Sequence, residues 1–140
     1  MAVLEWNDRL SIGVKEFDRE HQELVKMLNQ LSEAMMNGQG NAALAPILDA
    51  LIAYTATHFT NEEAAMVKTS YPYYAAHKEE HDALKMQVLE VQAKMRGGAQ
   101  TTLTIDVLRF LRDWLAKHIQ GSDKKLGAYL IDLARRRASV

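Results

Sequence analysis

The chain has no cysteine, which excludes disulfides, thiolate-held metals and iron–sulfur clusters together. Any metal it binds must rest on nitrogen and oxygen, a donor set suited to iron, manganese or zinc. Only two prolines and seven glycines interrupt its 140 residues. No stretch alternates with a period of two, so strands are not predicted. No uninterrupted apolar run approaches membrane-spanning length. The opening Met1–Trp6 lacks the basic region and apolar stretch of a secretory signal, so the expected location is cytoplasmic. A net charge of −1 gives no global attraction to nucleic acid or membrane. The run Arg135, Arg136, Arg137 reads as a solvated tail.

Against these absences stand five histidines, His21, His58, His77, His81 and His118, with Glu62 four residues after His58 and Asp123 five after His118. Imidazole is the commonest protein metal ligand, and carboxylates can bridge two cations. These seven residues are the candidate metal ligands, and no histidine is left over.

The periodicity predicts an all-α single domain over residues 1–140, an up-down-up-down antiparallel four-helix bundle. The first helix is expected over 18–37, with Asp18 as its N-cap, Leu24, Leu28, Leu31 and Met35 on its apolar face, and a stop at Asn37-Gly38. The second is expected over 41–66, accepting Pro46 in its early turns. Tyr71-Pro72 breaks the chain, and a third helix over 72–96 ends at Gly97-Gly98. The fourth is expected over 101–119 with Leu103, Val107, Leu108, Leu111 and Trp114 on a broad apolar face, before a break at Gly121-Ser122. A short C-terminal helix over 123–137 follows. Residues 1–17 form a non-helical N-terminal arm whose Trp6, Leu10, Ile12, Val14 and Phe17 should fold against the bundle.

That topology places the candidate ligands at one pole. His77 and His81, four apart, share a helix face about 5–6 Å apart at Cβ, as do His58 and Glu62. His21 starts the first helix and His118 closes the fourth. Asp123 is five residues beyond His118 and would rotate to another face of an ideal helix, so the Gly121-Ser122 break is expected to turn it back. Alone, either pair would be read as a solvated helix surface; jointly they argue for a two-metal site.

The set resembles the hemerythrin family in its single-domain bacterial form. The similarity lies in Phe17-Asp18-Arg19-Glu20-His21, in His58-Phe59-Thr60-Asn61-Glu62-Glu63, in Tyr71-Pro72 with His77-Lys78-Glu79-Glu80-His81, and in Trp114 with His118-Ile119-Gln120-Gly121-Ser122-Asp123. The resemblance implies two non-haem iron ions, one held by His77, His81 and His118 and the other by His21 and His58. Glu62 and Asp123 would bridge them together with an oxo or hydroxo group, and O2 would bind at the two-histidine iron. Two departures stand out: Asn61 in place of an aromatic residue and Ala65 in place of a larger aliphatic one. Both are expected to enlarge or wet the space near the iron.

The function implied is reversible O2 binding for storage, delivery or scavenging, by a protein that is not an enzyme. An apolar surround of Leu24, Leu28, Phe59, Trp114, Leu115 and Ile119 is expected to exclude water. The alternatives are an oxygen or redox sensor acting through a partner, and a di-iron enzyme handling peroxide, nitric oxide or ferrous iron. The protein partner is left open, with the C-terminal helix and its three arginines as a candidate docking element, and a monomer is expected. Glu63, Lys78, Glu79, Glu80 and Asp82 are expected to meet solvent, some of them orienting imidazole N–H groups.

Overall fold

The computed structural model describes residues 3–97 and 104–138. The apolar periods become helices: α1 (Lys15–Met36), α2 (Asn41–Lys68), α3 (Tyr74–Arg96), α4 (Ile105–His118) and α5 (Lys124–Ala138). No strand occurs among the described residues. Helix α1 lies along α2, α2 along α3, and α4 returns beside α1, so short links join antiparallel neighbours into a four-helix bundle. The expected helix start near Thr101 and the positions of Gly98 and Leu103 lie outside the described residues.

The core along the bundle axis is Leu24, Leu28 and Leu31 of α1 against Leu44, Leu48 and Leu51 of α2, Leu84 and Val88 of α3, and Leu108 and Leu111 of α4. Each such leucine contributes roughly 1.5–3 kcal/mol on burial. The first two links close in the same way. Gly38 adopts a left-handed φ of 73° while Gln39 N–H reaches back to the Ala34 carbonyl at 3.2 Å. Ser70 adopts a φ of 55° while Tyr71 N–H reaches the Met66 carbonyl at 2.9 Å. Helix α4 begins at Thr104, whose hydroxyl accepts from the Val107 N–H at 3.2 Å.

Two local expectations change. Helix α1 starts at Lys15 behind Val14, not behind Asp18. Asp18 instead holds the arm, accepting from Ser11 Oγ at 2.6 Å and from Ile12 N–H at 2.8 Å. Nor does the chain leave helical geometry at Gly121-Ser122. Residues Ile119–Asp123 form a π-helical turn joining α4 to α5, closed by a bond from Lys124 N–H to the Ile119 carbonyl. The wider turn brings a residue five positions on back to the same face. Asp123 therefore stands beside His118 without a break.

By length and composition alone Ala42–Lys68 of helix α2 could cross a membrane, but Asp49, Glu62 and Glu63 interrupt it, so it is no uninterrupted apolar run. It lies between α1 and α3, and its buried face carries His58 and Glu62.

One pole of the bundle is covered from outside. Asn29 pins the arm, accepting from Val3 and Leu4 N–H and donating to the Leu4 carbonyl at 2.8 Å. After a single 3-10 turn at Asp8–Leu10, Leu10 and Ile12 pack with Phe17 and Ile119. Helix α5 closes the same end through Leu126, buried with Met66 and Tyr71, and through Tyr129, whose hydroxyl donates to the Thr69 carbonyl. Gly127 permits this closeness, because a Cβ there would collide with the Ile12 carbonyl.

Candidate metal centre

The covered pole holds all seven candidate ligands. His21 lies in the second turn of α1, His58 and Glu62 near the end of α2, His77 and His81 in the first turns of α3, His118 at the end of α4, and Asp123 at the end of the π turn. None is more than 4% exposed. Their ligand-capable atoms fall into two groups that could each hold a cation: His77, His81 and His118 with Glu62 and Asp123, and His21 and His58 with the same two carboxylates.

The carboxylates divide their oxygens between the groups. Glu62 Oε1 lies 3.4 Å from His77 Nε2 and 3.1 Å from His81 Nε2, while Oε2 lies 3.2 Å from His21 Nε2 and 3.0 Å from His58 Nε2. Asp123 Oδ1 lies 2.9 Å from His77 Nε2 and 3.1 Å from His118 Nε2, while Oδ2 lies 3.1 Å from His21 Nε2.

Short as they are, few of these approaches are hydrogen bonds. Both Asp123 oxygens, Glu62 Oε1 and both ring nitrogens of His77 are buried with no hydrogen-bond partner. Orphaned buried polar atoms are costly and rare. The imidazole Nε2 atoms of His81 and His118 face one another at 3.1 Å. The Nδ1 atoms of these rings lie 2.9 Å from Glu63 and 3.1 Å from Glu80. A carboxylate only accepts, so Nδ1 carries the proton and Nε2 of the neutral ring presents its lone pair. Lone pairs converging at such distances need a cation between them. Neighbouring ligands at right angles on a metal with bonds of about 2.1 Å would lie about 3 Å apart, so the donor set fits transition metals.

In their absence protons take that place. Burial pulls the His21 and His77 imidazoliums down, but the Asp123 and Glu62 carboxylates pull harder, raising both to about 9. His118 is raised in the same way, burial being outweighed by Asp123. Burial would push Glu62 up, yet the histidines around it hold it well below the usual carboxylate range. Asp123 is also lowered: burial and Glu62 push it up, and His118 and His21 outweigh both.

The aromatic surround is as the sequence suggests in part. Phe59 stacks on His81 with centroids 3.8 Å apart, and Trp114 on His118 at 4.4 Å. A cavity of about 50 Å³ adjoins the site, walled by Leu24, Leu28, Phe59, Trp114 and Leu115 among others. It is several times the roughly 10–15 Å³ that one water occupies on the same measure. His21 and His58 both line it, but of the other three histidines only His118 does. Ile119 does not line it, facing instead the arm with Leu10 and Ile12.

The two departures behave unlike the expectation. Asn61 is exposed and donates to Glu20 Oε2 at 2.9 Å. Ala65 packs on the cluster under the arm. Neither lines the cavity. Glu20 itself, 2.6 Å from His58 Nδ1, is a site residue that spacing did not reveal. Its signal was weak: a carboxylate beside His21 in sequence, facing a different helix. Thr55, one turn before His58, also lines the cavity unannounced, its hydroxyl donating to the Leu51 carbonyl at 2.7 Å. Lys78 and Asp82 pair with each other in solvent, away from the ligands.

Residues 12–130 match the hemerythrin HHE cation binding domain. The chain is 35% identical to a bacteriohemerythrin of Stenotrophomonas maltophilia, over 99% of this chain and 92% of that protein. It is 36% identical to a bacteriohemerythrin of Methylococcus capsulatus, over 93% of this chain and 98% of the other. Among solved structures, wild-type hemerythrin superposes with a TM-score of 0.85 at 35% identity, covering 91% of this chain and 97% of that one. A point mutant of hemerythrin reaches 0.86 with the same identity and coverage. With buried histidines and carboxylates gathered at one pole of a four-helix bundle, the chain belongs to the hemerythrin family.

Proposed function

We propose that the protein binds O2 reversibly at a non-haem di-iron centre, as an oxygen carrier or store and not as an enzyme. His77, His81 and His118 would hold one iron, His21 and His58 the other, with Glu62 and Asp123 bridging. The observation that carries this reading is the division of each carboxylate's oxygens between two imidazole groups. One cation would need only one oxygen from each. The irons would supply the reversible reduction of O2 that no side chain here can perform.

The protein's own residues select and protect. Leu24, Leu28, Phe59 and Trp114 give the cavity apolar walls that disfavour water, and a space of about 50 Å³ has room for a diatomic molecule. Because His21 and His58 both line that space, the small ligand would meet the two-imidazole side. Two donor nitrogens there, against three on the other side, leave room for it. Glu20, Glu63 and Glu80 fix three of the rings with Nε2 turned inward. Neutral imidazoles outnumber carboxylates five to two, a donor balance that favours the ferrous state.

Anaerobic reduction followed by air tests the reading. Two irons per chain and a visible charge-transfer band that appears with air and vanishes under vacuum are expected. Well under two equivalents of iron after reconstitution would overturn it. Continuous substrate consumption by the purified protein would favour an enzyme instead.

A further inference from the structure

The outward nitrogens of the five imidazoles are not treated alike. His21 Nδ1 and His77 Nδ1 are buried without partners. The other three meet carboxylates, at 2.6 Å for His58 and Glu20, 2.9 Å for His81 and Glu63, and 3.1 Å for His118 and Glu80. Charge-assisted hydrogen bonds strengthen as they shorten and as water is kept from them. Burial ranks the extremes in the same order as length. Glu20 is 15% exposed and Glu80 46%. Glu80 also divides itself between His118 and the Ser122 hydroxyl. Glu20 is steadied from the opposite helix, where Asn61 Nδ2 holds its second oxygen at 2.9 Å.

We propose that Glu20, set by Asn61, is the positioning residue of the cavity-facing metal. It fixes His58 in the tautomer with Nε2 free. By drawing on the Nδ1 proton it also makes that nitrogen the stronger donor. The inference rests on the two-iron reading above and deepens it: of the three outer carboxylates, only Glu20 acts on the two-imidazole group, whose histidines both line the cavity. A more electron-rich imidazole stabilises the higher oxidation state of its metal and lowers the potential there. Glu63 and Glu80 act on the other group.

The test compares wild-type protein with Glu20→Gln, Asn61→Ala and Glu80→Gln, each reconstituted with ferrous iron without oxygen. Iron content, loss of iron to a chelator and midpoint potential are measured, with thermal unfolding as a check on folding. Glu20→Gln is expected to release one of its two irons to the chelator about 10–100-fold more readily and to raise the midpoint potential. Asn61→Ala should move both quantities the same way by less, and Glu80→Gln should fall short of Glu20→Gln in both. Wild-type chelator resistance and potential in Glu20→Gln would overturn the proposal, as would an equal or larger change in Glu80→Gln. If Glu20→Gln does not fold, Asn61→Ala decides, because Asn61 is exposed and its loss leaves the carboxylate in place. Should wild-type protein itself fail to hold two irons, the fault lies in the di-iron reading and not in the role of Glu20.

Discussion

The two ends of this bundle are held by opposite kinds of force. At the distal end Leu31, Ala34, Leu44, Met95 and Leu108 meet in an apolar cluster, where fit matters but direction does not. At the other, five imidazoles and two carboxylates share a buried pole in which several polar atoms lack hydrogen bonds. The polar pole is also the covered one, with the arm, the turn after α2 and helix α5 packed over it. Exposed large apolar side chains remain at both ends, Met36 and Ile105 at the apolar one and Val67 and Tyr73 beside the covered one. Directional, charge-rich sites need exclusion of water and a compensating cation, whereas an aliphatic core needs only volume. The additions to the four helices are spent where the first requirement holds.

The sharpest break in that contrast comes from removing a group at each end. Glu62→Ala deletes an oxygen from both imidazole groups, so iron content should fall from two equivalents towards none. Leu31→Ala, fully buried in the apolar cluster, should cost about 2–5 kcal/mol and leave iron content at two. Metal analysis and thermal unfolding of both variants check this. Two irons in Glu62→Ala would show that Glu62 is not needed to join the groups.

Next in size is a pH effect confined to the polar pole. His21 and His77 are raised to about 9 in the metal-free fold, above an unfolded value of about 6.5. A raised value means the fold binds these protons more tightly, so their stabilisation is complete below about pH 6.5 and lost as pH rises through about 9. Each imidazole contributes on the order of 3 kcal/mol to that loss. Metal-free protein should therefore melt lower at pH 9 than at pH 6.5, by roughly 15–25 °C for the two imidazoles together. Iron-loaded protein has already exchanged those protons for metal and should show a much flatter profile. A metal-free melting point that rises over this range would contradict the electrostatic description of the pole.

The same contrast explains what could be read before the fold was known. Leucine spacing along α1, α2 and α4 names the helices because apolar burial repeats with the helical period. His58 with Glu62 and His77 with His81 name the site because four residues make one face. The π turn could not be read. Gly121-Ser122 has the local look of a break, and helical continuity through it is held by Leu126 and Tyr129 packing elsewhere. Asp18 could not be read either, since a capping residue and one that ties down an arm share a composition. Asn61 looked like a cavity residue because the resemblance puts an aromatic side chain at that position, but one step along a helix from Glu62 turns its side chain to another face. It reaches Glu20 across two helices, a distance no sequence period records.

A smaller effect tests the cover over the pole. Gly127→Ala drives a Cβ into the Ile12 carbonyl and must push the arm from α5. Overpacking of this kind costs about 1–3 kcal/mol. Because the displaced segment seals the polar end, iron should also be lost to a chelator faster than from wild-type protein. Reduced stability with wild-type chelator resistance would mean that the arm braces the fold without shielding the site.

The smallest effect belongs to Thr104, at the far end of the helix that delivers His118. Its hydroxyl accepts from Val107 N–H, and replacing such a cap with alanine costs about 1 kcal/mol. For a chain of this size that is a fall of about 3–5 °C in melting temperature. His118 is 14 residues away, about 21 Å along the helix, and is held at its own end by Trp114, Glu80 and Asp123. Fraying the first turn of α4 should leave those contacts untouched. Thr104→Ala is therefore expected to lower the melting point of metal-free and iron-loaded protein by the same amount, with an unchanged charge-transfer spectrum. A larger fall in the loaded form would mean that metal binding tightens α4 along its whole length. The two ends would then be one cooperative unit, and the division between a directional pole and a permissive core would not survive.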